Sequence, residues 1–131
     1  MMTDPISDML TRIRNAGMAK QRTVLMPRSN MKFAVAKIMQ GEGYLAGVEA
    51  YEDGNKPMMR LTLKYDEAGS PAIASITRVS KPGQRVYVKS SDLHGVRSGL
   101  GFAIVSTPNG LMTTQEAKKR HLGGELICEV Y

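Results

Sequence analysis

The sequence predicts an α+β fold in two small modules: N-terminal α-β-α-β-β (residues 1–67) and C-terminal mostly β with a short helix (residues 68–131). Three observations carry that expectation. Two stretches of the first module repeat apolar residues at helical spacing. An Asp-Gly step joins the two β-rich runs that follow. Beyond residue 68, short β-rich runs alternate with turn residues, and only one helix signal remains.

Asp4-Pro5-Ile6 opens the first helix, with an acidic N-cap followed by proline at the first helical position, where its missing N–H does no harm. Ile6, Met9, Leu10 and Ile13 form one apolar stripe, and Gly17 is the expected stop. Arg12 and Arg14 fall off that stripe and should face solvent or a partner. Thr23-Val24-Leu25-Met26, closed by Pro27, reads as a strand. A second helix is expected from Ser29 or Asn30 to Gln40, with Met31, Ala34, Val35, Ile38 and Met39 inward, Lys32 near its start and Gly41 as its C-terminal glycine. Residues 44–51 and 58–65 then form a hairpin around Asp53-Gly54. Glu67-Ala68-Gly69-Ser70-Pro71 is a short polar hinge between the modules.

In the second module, residues 72–80 and 85–90 read as a strand and its return around the turn Lys81-Pro82-Gly83-Gln84, in the order type II prefers. Residues 91–98 fit either a short helix or an ordered loop. Residues 102–107 form a strand leading into Ser106-Thr107-Pro108-Asn109-Gly110. Thr113-x-x-Glu116 has the capping-box spacing, so a helix should run from Thr114 to His121, stopped by Gly123 and Gly124. Residues 125–131 make the last strand.

Composition bounds the function. The chain has 131 residues, 42% of them hydrophobic, and a formal net charge of +6 with a pI near 9.6. Seven basic residues oppose two acidic ones up to Gly41, three oppose six from Glu42 to Ala68, and eight oppose four from Gly69 onward. Two basic regions around an acidic one point to two anionic contacts, because Lys/Arg clusters neutralise phosphate and release counterions. A surface tuned for solubility is the plainer alternative. The single Cys128, among Leu126, Ile127 and Val130, reads as a buried thiol on a strand. It cannot form an internal disulfide or a zinc cage. With no basic-plus-apolar leader and no apolar run near the length that spans a bilayer, the chain reads as cytosolic.

No catalytic or cofactor pattern emerges. His94 and His121 are the only histidines, in unrelated contexts, and neither lies in a metal-ligand spacing. Ser106 with His121 as base would make a small hydrolase, but nothing in their spacing favours that over a turn serine. Gly99-Leu100-Gly101 lacks the third glycine of a dinucleotide loop and leads into a strand. No cofactor, metal or small-molecule substrate is therefore expected.

Two segments suit RNA. In Arg85-Val86-Tyr87-Val88-Lys89, alternation puts Val86 and Val88 on one face and Arg85, Tyr87 and Lys89 on the other. A tyrosine between cations can stack on a base while its neighbours hold phosphates, although a solvated strand would look the same. In Ser106-Thr107-Pro108-Asn109-Gly110, Pro108 and Asn109 suit the centre of a type I turn. Two hydroxyls, a carboxamide and a glycine backbone clustered there also suit base edges and 2′-hydroxyls. The following helix is expected to add an anion-binding N-terminus and the cations Lys118, Lys119 and Arg120.

The run Gly101-x-x-Ile104-Val105-Ser106-Thr107-x-x-Gly110-Leu111-Met112, followed by Ala117-Lys118, resembles the signature of the small-subunit ribosomal protein eight family, bacterial type. The opening Asp4-Pro5-Ile6-Ser7-Asp8-Met9-Leu10-Thr11-Arg12-Ile13-Arg14-Asn15 resembles that family too, as do Arg78-Val79-Ser80-Lys81-Pro82-Gly83 and Gly123-Gly124-Glu125-Leu126-Ile127-Cys128. The resemblance implies a non-enzymatic primary binder of 16S ribosomal RNA. It would attach to the RNA's central domain, help assemble the small-subunit platform, and lie near small-subunit proteins five and twelve. It also implies that Ser106, Thr107 and Gly110 read RNA and that Tyr87 lies on an RNA-facing strand. Asn109 joins them by its amide, and Arg85, Lys89, Lys56, Lys118 and Lys119 are candidates for phosphate, with Arg12, Arg14 and Lys32 for a second contact. Some bacterial members repress their own messenger RNA, so a free-standing translational regulator is the alternative. The family commonly has Ser-Thr-Ser where this chain has Ser106-Thr107-Pro108, so any contact by that third side chain does not carry over.

Overall fold

The computed structural model describes residues 4–93 and 101–131. It shows an α+β protein of two compact units, one Pro5–Ala74 and the other Asp4 together with Ser75–Tyr131. The readings placed on His94, Gly99, Leu100 and most of residues 91–98 lie outside the described residues.

In the first unit, helices α1 (Pro5–Met18) and α2 (Asn30–Gly41) cover one face of a sheet of β1 (Thr23–Pro27), β2 (Leu45–Asp53) and β3 (Lys56–Leu63). The order is β1-β3-β2, antiparallel throughout. The predicted stripe Ile6, Met9, Leu10 and Ile13 is buried, as are the alternating Val24 and Met26 of β1 and Met59, Leu61 and Leu63 of β3. The hairpin forms with Asp53 opposite Lys56, leaving Gly54 and Asn55 as its loop.

Three expectations change here. Gly17 does not end α1; it is buried within the helix, where a Cβ would pack 3.5 Å from Pro71 Cγ. The helix instead closes at Lys20, whose φ is 59°, with Gln21 N–H donating to Ala16 O. Likewise Gly41 is still helical, and Gly43, at φ 86°, takes the left-handed position that glycine adopts without strain. The buried face of α2 is Lys32, Val35, Ala36 and Met39, while Met31 is exposed. Both sets have helical spacing, and an aliphatic lysine stem can lie along an apolar surface, so the sequence supports two overlapping stripes.

The second unit contains β4 (Ile76–Arg78), β5 (Tyr87–Val88), a single 3₁₀ turn (Ser90–Asp92), β6 (Phe102–Thr107), β7 (Gly110–Thr113), α3 (Thr114–Lys119) and β8 (Gly124–Val130). Its sheet runs β4-β8-β6-β7, with β5 also pairing with β8. The expected hairpin of residues 72–80 with 85–90 is absent. Both short strands instead lie antiparallel to β8, β4 opposite Cys128 to Val130 and β5 opposite Gly124 and Glu125. The Lys81-Pro82-Gly83-Gln84 turn forms as expected, with Lys81 pairing antiparallel to Gln84 and Gly83 at φ 83°, but beyond it the chain resumes along the same edge of β8. Ser80 staples its base: the fully buried hydroxyl accepts from Val86 N–H (2.8 Å) and donates to Val86 O (3.2 Å). Asp4 pairs with the Arg78 guanidinium at 3.1 Å, and Arg78 also donates to Ile127 O.

Strand β7 was not anticipated, because its four residues lie between a turn and a capping box that absorb the local signals. The capping box itself forms: Thr113 Oγ1 accepts from Glu116 N–H at 3.2 Å. Helix α3 ends earlier than expected, with His121 at φ 56° and Leu122 N–H donating to Ala117 O. Leu93, Val105, Met112 and Ala117 pack together beneath α3, with Val88, Leu122 and Leu126 at the margin.

A bulge in β8 makes Ile104 pair with Cys128 and Val105 with Leu126, so Ile127 and Cys128 are both buried despite being adjacent. Desolvation pushes the Cys128 thiol up to about 12 from 9.0; nearby Arg78 opposes this and Glu129 adds to it. Between those values the unfolded chain has lost the thiol proton and the folded chain keeps it. The thiol's stabilising contribution is therefore complete below pH 9 and declines above it, by about 1.4 kcal/mol per pH unit. Urea unfolding of wild type and Cys128→Ala across pH 8 to 11 should show that extra slope in wild type only; parallel curves would refute it.

Candidate nucleic-acid interface

Antiparallel pairing sets four residues in one row across one face of the second unit's sheet. Tyr87 of β5 lies opposite Glu125 of β8, Glu125 opposite Ser106 of β6, and Ser106 opposite Leu111 of β7. Directly paired residues project from the same face at strand spacing, so the row is continuous. Tyr87 is 71% exposed, and Arg85 and Lys89 are exposed with it while Val86 and Val88 are partly covered. The alternation read from the sequence is thus present.

The glycines before Glu125 make this row possible. A Cβ on Gly124 would lie 2.0 Å from Ser106 O, and one on Gly123 would lie 2.5 Å from Val88 O. Any larger residue would hold β8 away from the strands carrying Ser106 and Tyr87. These two residues do not stop α3, as the sequence suggested; they permit close approach of backbones.

The Ser106-Thr107-Pro108-Asn109-Gly110 segment is the tip of the β6–β7 hairpin, with Thr107 opposite Gly110. Thr107 is only 8% exposed. Its hydroxyl donates to Gly110 O at 2.9 Å and accepts from Asn109 N–H at 3.1 Å. Thr107 therefore shapes the turn, while Pro108, Asn109 and Gly110 are exposed and Ser106 is partly so. The start of α3, where the sequence suggests an anion site, is closed by Thr113, whose Oγ1 accepts from Glu116 N–H. That helix has six residues.

The cations divide by unit. In the second unit, Arg85 pairs with Glu125 Oε2 at 3.0 Å; the hydrogen bond and charge of Glu125 raise its pKa. Arg120 pairs with Glu116 at 2.7 Å. Lys89, Lys118 and Lys119 are exposed and make no ion pair among the described residues. The other four candidates belong to the first unit. Lys56 is exposed at the start of β3, Arg12 pairs with Asp8 at 2.9 Å, and Arg14 is exposed. Lys32 is 7% exposed on the buried face of α2, its stem covered by the packing of that helix.

Glu125 and Gly124 were missed as parts of this surface, as was the supporting Ser80. A tandem glycine opening a β-rich run was the available signal for the close approach. The position of Glu125 depends on strand pairing, which sequence periodicity does not supply.

Fold and face define a small, basic α+β protein presenting a polar, tyrosine-bearing sheet surface with exposed Arg85 and Lys89 on the strand of Tyr87. The family model for ribosomal protein S8 matches residues 4–131. Small ribosomal subunit protein uS8 of Thermoanaerobacter sp. (strain X514) is 51% identical over 130 residues, covering 99% of this chain and 98% of that protein. The protein of the same name from Dehalococcoides mccartyi (strain CBDB1) is 48% identical over 131 residues, all of both chains. The chain belongs to the ribosomal protein S8 family.

Proposed function

We propose that this chain is a structural constituent of the small (30S) ribosomal subunit, binding the central domain of 16S ribosomal RNA and helping to assemble the platform. Small-subunit proteins five and twelve are the proposed neighbours. Family membership supports the ribosomal role. The observation carrying RNA contact is the row in which exposed Tyr87 and partly exposed Ser106 lie across Glu125, next to the Asn109 hairpin tip. Tyr87 offers a stacking face, Ser106 and Asn109 offer donors and acceptors to base edges and 2′-hydroxyls, and Gly110 offers exposed backbone. Thr107 holds that tip in shape. Arg85, Lys89, Lys118 and Lys119 neutralise phosphate, and Arg12, Arg14 and Lys56 serve a second contact.

Crosslinking in cells with sequencing of bound RNA tests the assignment, alongside sedimentation. The chain should travel with small subunits, and its crosslinks should concentrate in the 16S central domain. Absence from subunits, with crosslinks confined to messenger RNA, would favour the free-standing regulator. At residue level, Lys89→Ala should weaken all RNAs similarly and flatten the plot of log affinity against log salt by about one. An unchanged slope would make Lys89 a solubilising charge.

A further inference from the structure

A carboxylate in the middle of an RNA-facing row is a physical anomaly, and it has a use. Glu125 lies between Tyr87 and Ser106 on adjacent strands. Its side chain is 16% exposed, so its charge is only partly screened by water. Arg85 occupies Oε2 at 3.0 Å. Oε1 makes no hydrogen bond among the described residues, and no buried side-chain oxygen there lacks a partner, so Oε1 is open to the surface.

We infer that Glu125 is a specificity-determining residue of this face: its carboxylate excludes phosphate from the row between Tyr87 and Ser106 and accepts a hydrogen bond from an unpaired nucleotide. The inference rests on the RNA-binding reading above and sharpens it. A phosphate over the row would come within about one strand spacing of a like charge in a poorly screened position. A base amino or imino group, or a 2′-hydroxyl, brings a donor instead and gains a charge-assisted hydrogen bond. Glu125 also holds Arg85 to one side of Tyr87. The guanidinium is thereby offered at the margin of the row, where a backbone flanking a stacked base would run. Phosphates are thus directed to Arg85 and Lys89, and the centre of the row is reserved for nucleotide edges.

The alternative is that Glu125 merely offsets the charge of Arg85. The two readings differ in sign. Removing a negative charge from an RNA-binding surface should, by charge alone, tighten binding to every RNA. The proposed role requires weaker binding to the cognate RNA and tighter binding to others. Glu125→Gln keeps the side chain's shape and an oxygen that can still accept from Arg85, so that variant should fold.

The experiment measures affinities of full-length wild type, Glu125→Ala and Glu125→Gln at fixed salt. The probes are a transcribed fragment of the 16S central domain and a mixed-sequence RNA duplex of equal length. Glu125→Ala should lose about tenfold on the fragment, the scale of one charge-assisted hydrogen bond, while gaining affinity for the duplex. Glu125→Gln keeps an acceptor oxygen without the repulsion, so it should gain on the duplex and lose less than alanine on the fragment. Equal tightening toward both RNAs in either variant would overturn the role, as would unchanged duplex binding by Glu125→Gln, which also serves if the alanine variant fails to fold. Wild type binding both RNAs equally would instead defeat the underlying RNA assignment.

Discussion

Gly124→Ala is expected to destabilise the second unit by about 3 kcal/mol or more, at the upper end of overpacking costs, because the strain falls on backbone. The new methyl would lie 2.0 Å from Ser106 O, 2.8 Å from Ser106 C and 3.1 Å from Thr107 Cα. A flexible side chain could swing away, but a carbonyl held in a sheet ladder cannot. Relief requires β8 to part from β6, which breaks the pairing of Ser106 with Glu125 and displaces Tyr87 on the other side. RNA binding should fall with stability. Gly41→Ala is the control: it lies within α2 with nothing near its added methyl, and should stabilise by about 0.5–1 kcal/mol. Urea unfolding of both variants tests the contrast, and a Gly124→Ala protein as stable as wild type would show that β8 does not need this close approach.

Tyr87→Ala should cost about 1–3 kcal/mol of RNA affinity, the range for one base stacked on an aromatic side chain. Its stability should be nearly unchanged, because the ring is 71% exposed and buries little on folding. Tyr87→Phe keeps the stacking face and should retain most of the affinity. That pattern separates stacking from a role for the hydroxyl. An unchanged dissociation constant for Tyr87→Ala, at matched salt, would remove Tyr87 from the interface.

The sequence revealed the parts of this protein that depend on local periodicity. The α1 stripe, the Asp53-Gly54 hairpin, the capping box at Thr113 and the alternation about Tyr87 are each set by residues a few positions apart. Less was legible where pairing across distance decides. Lys81-Pro82-Gly83-Gln84 has the residues of a reversing turn, yet the buried Ser80 hydroxyl bonded to Val86 lets the chain resume along the same edge of β8. Helix ends were misplaced because Lys20 and His121 adopt positive φ at positions where glycine is the usual signal. In α2, Met31 and Val35 supported a stripe adjacent to the one that packs, which left Lys32 inside.

The candidate surface shows the same division. Tyr87, Ser106, Asn109 and the lysines could be picked out by residue type, and family resemblance joined them. Thr107 reads from the sequence as an RNA contact; in the structure its hydroxyl also shapes the turn, donating to Gly110 O and accepting from Asn109 N–H. Pro108 occupies the first loop position of that hairpin, where a preset φ suits the turn. Asn109 and the backbone of Gly110 are left exposed at the tip.

The most direct measurement of the central claim is equilibrium binding of the full chain to a 16S central-domain fragment and to an equal-length duplex across a salt series. Binding to the fragment should be tighter at every salt concentration, with that preference lost in a Tyr87→Ala, Ser106→Ala double variant that remains folded. Equal affinity for the two RNAs, or a preference that survives in the double variant, would contradict it.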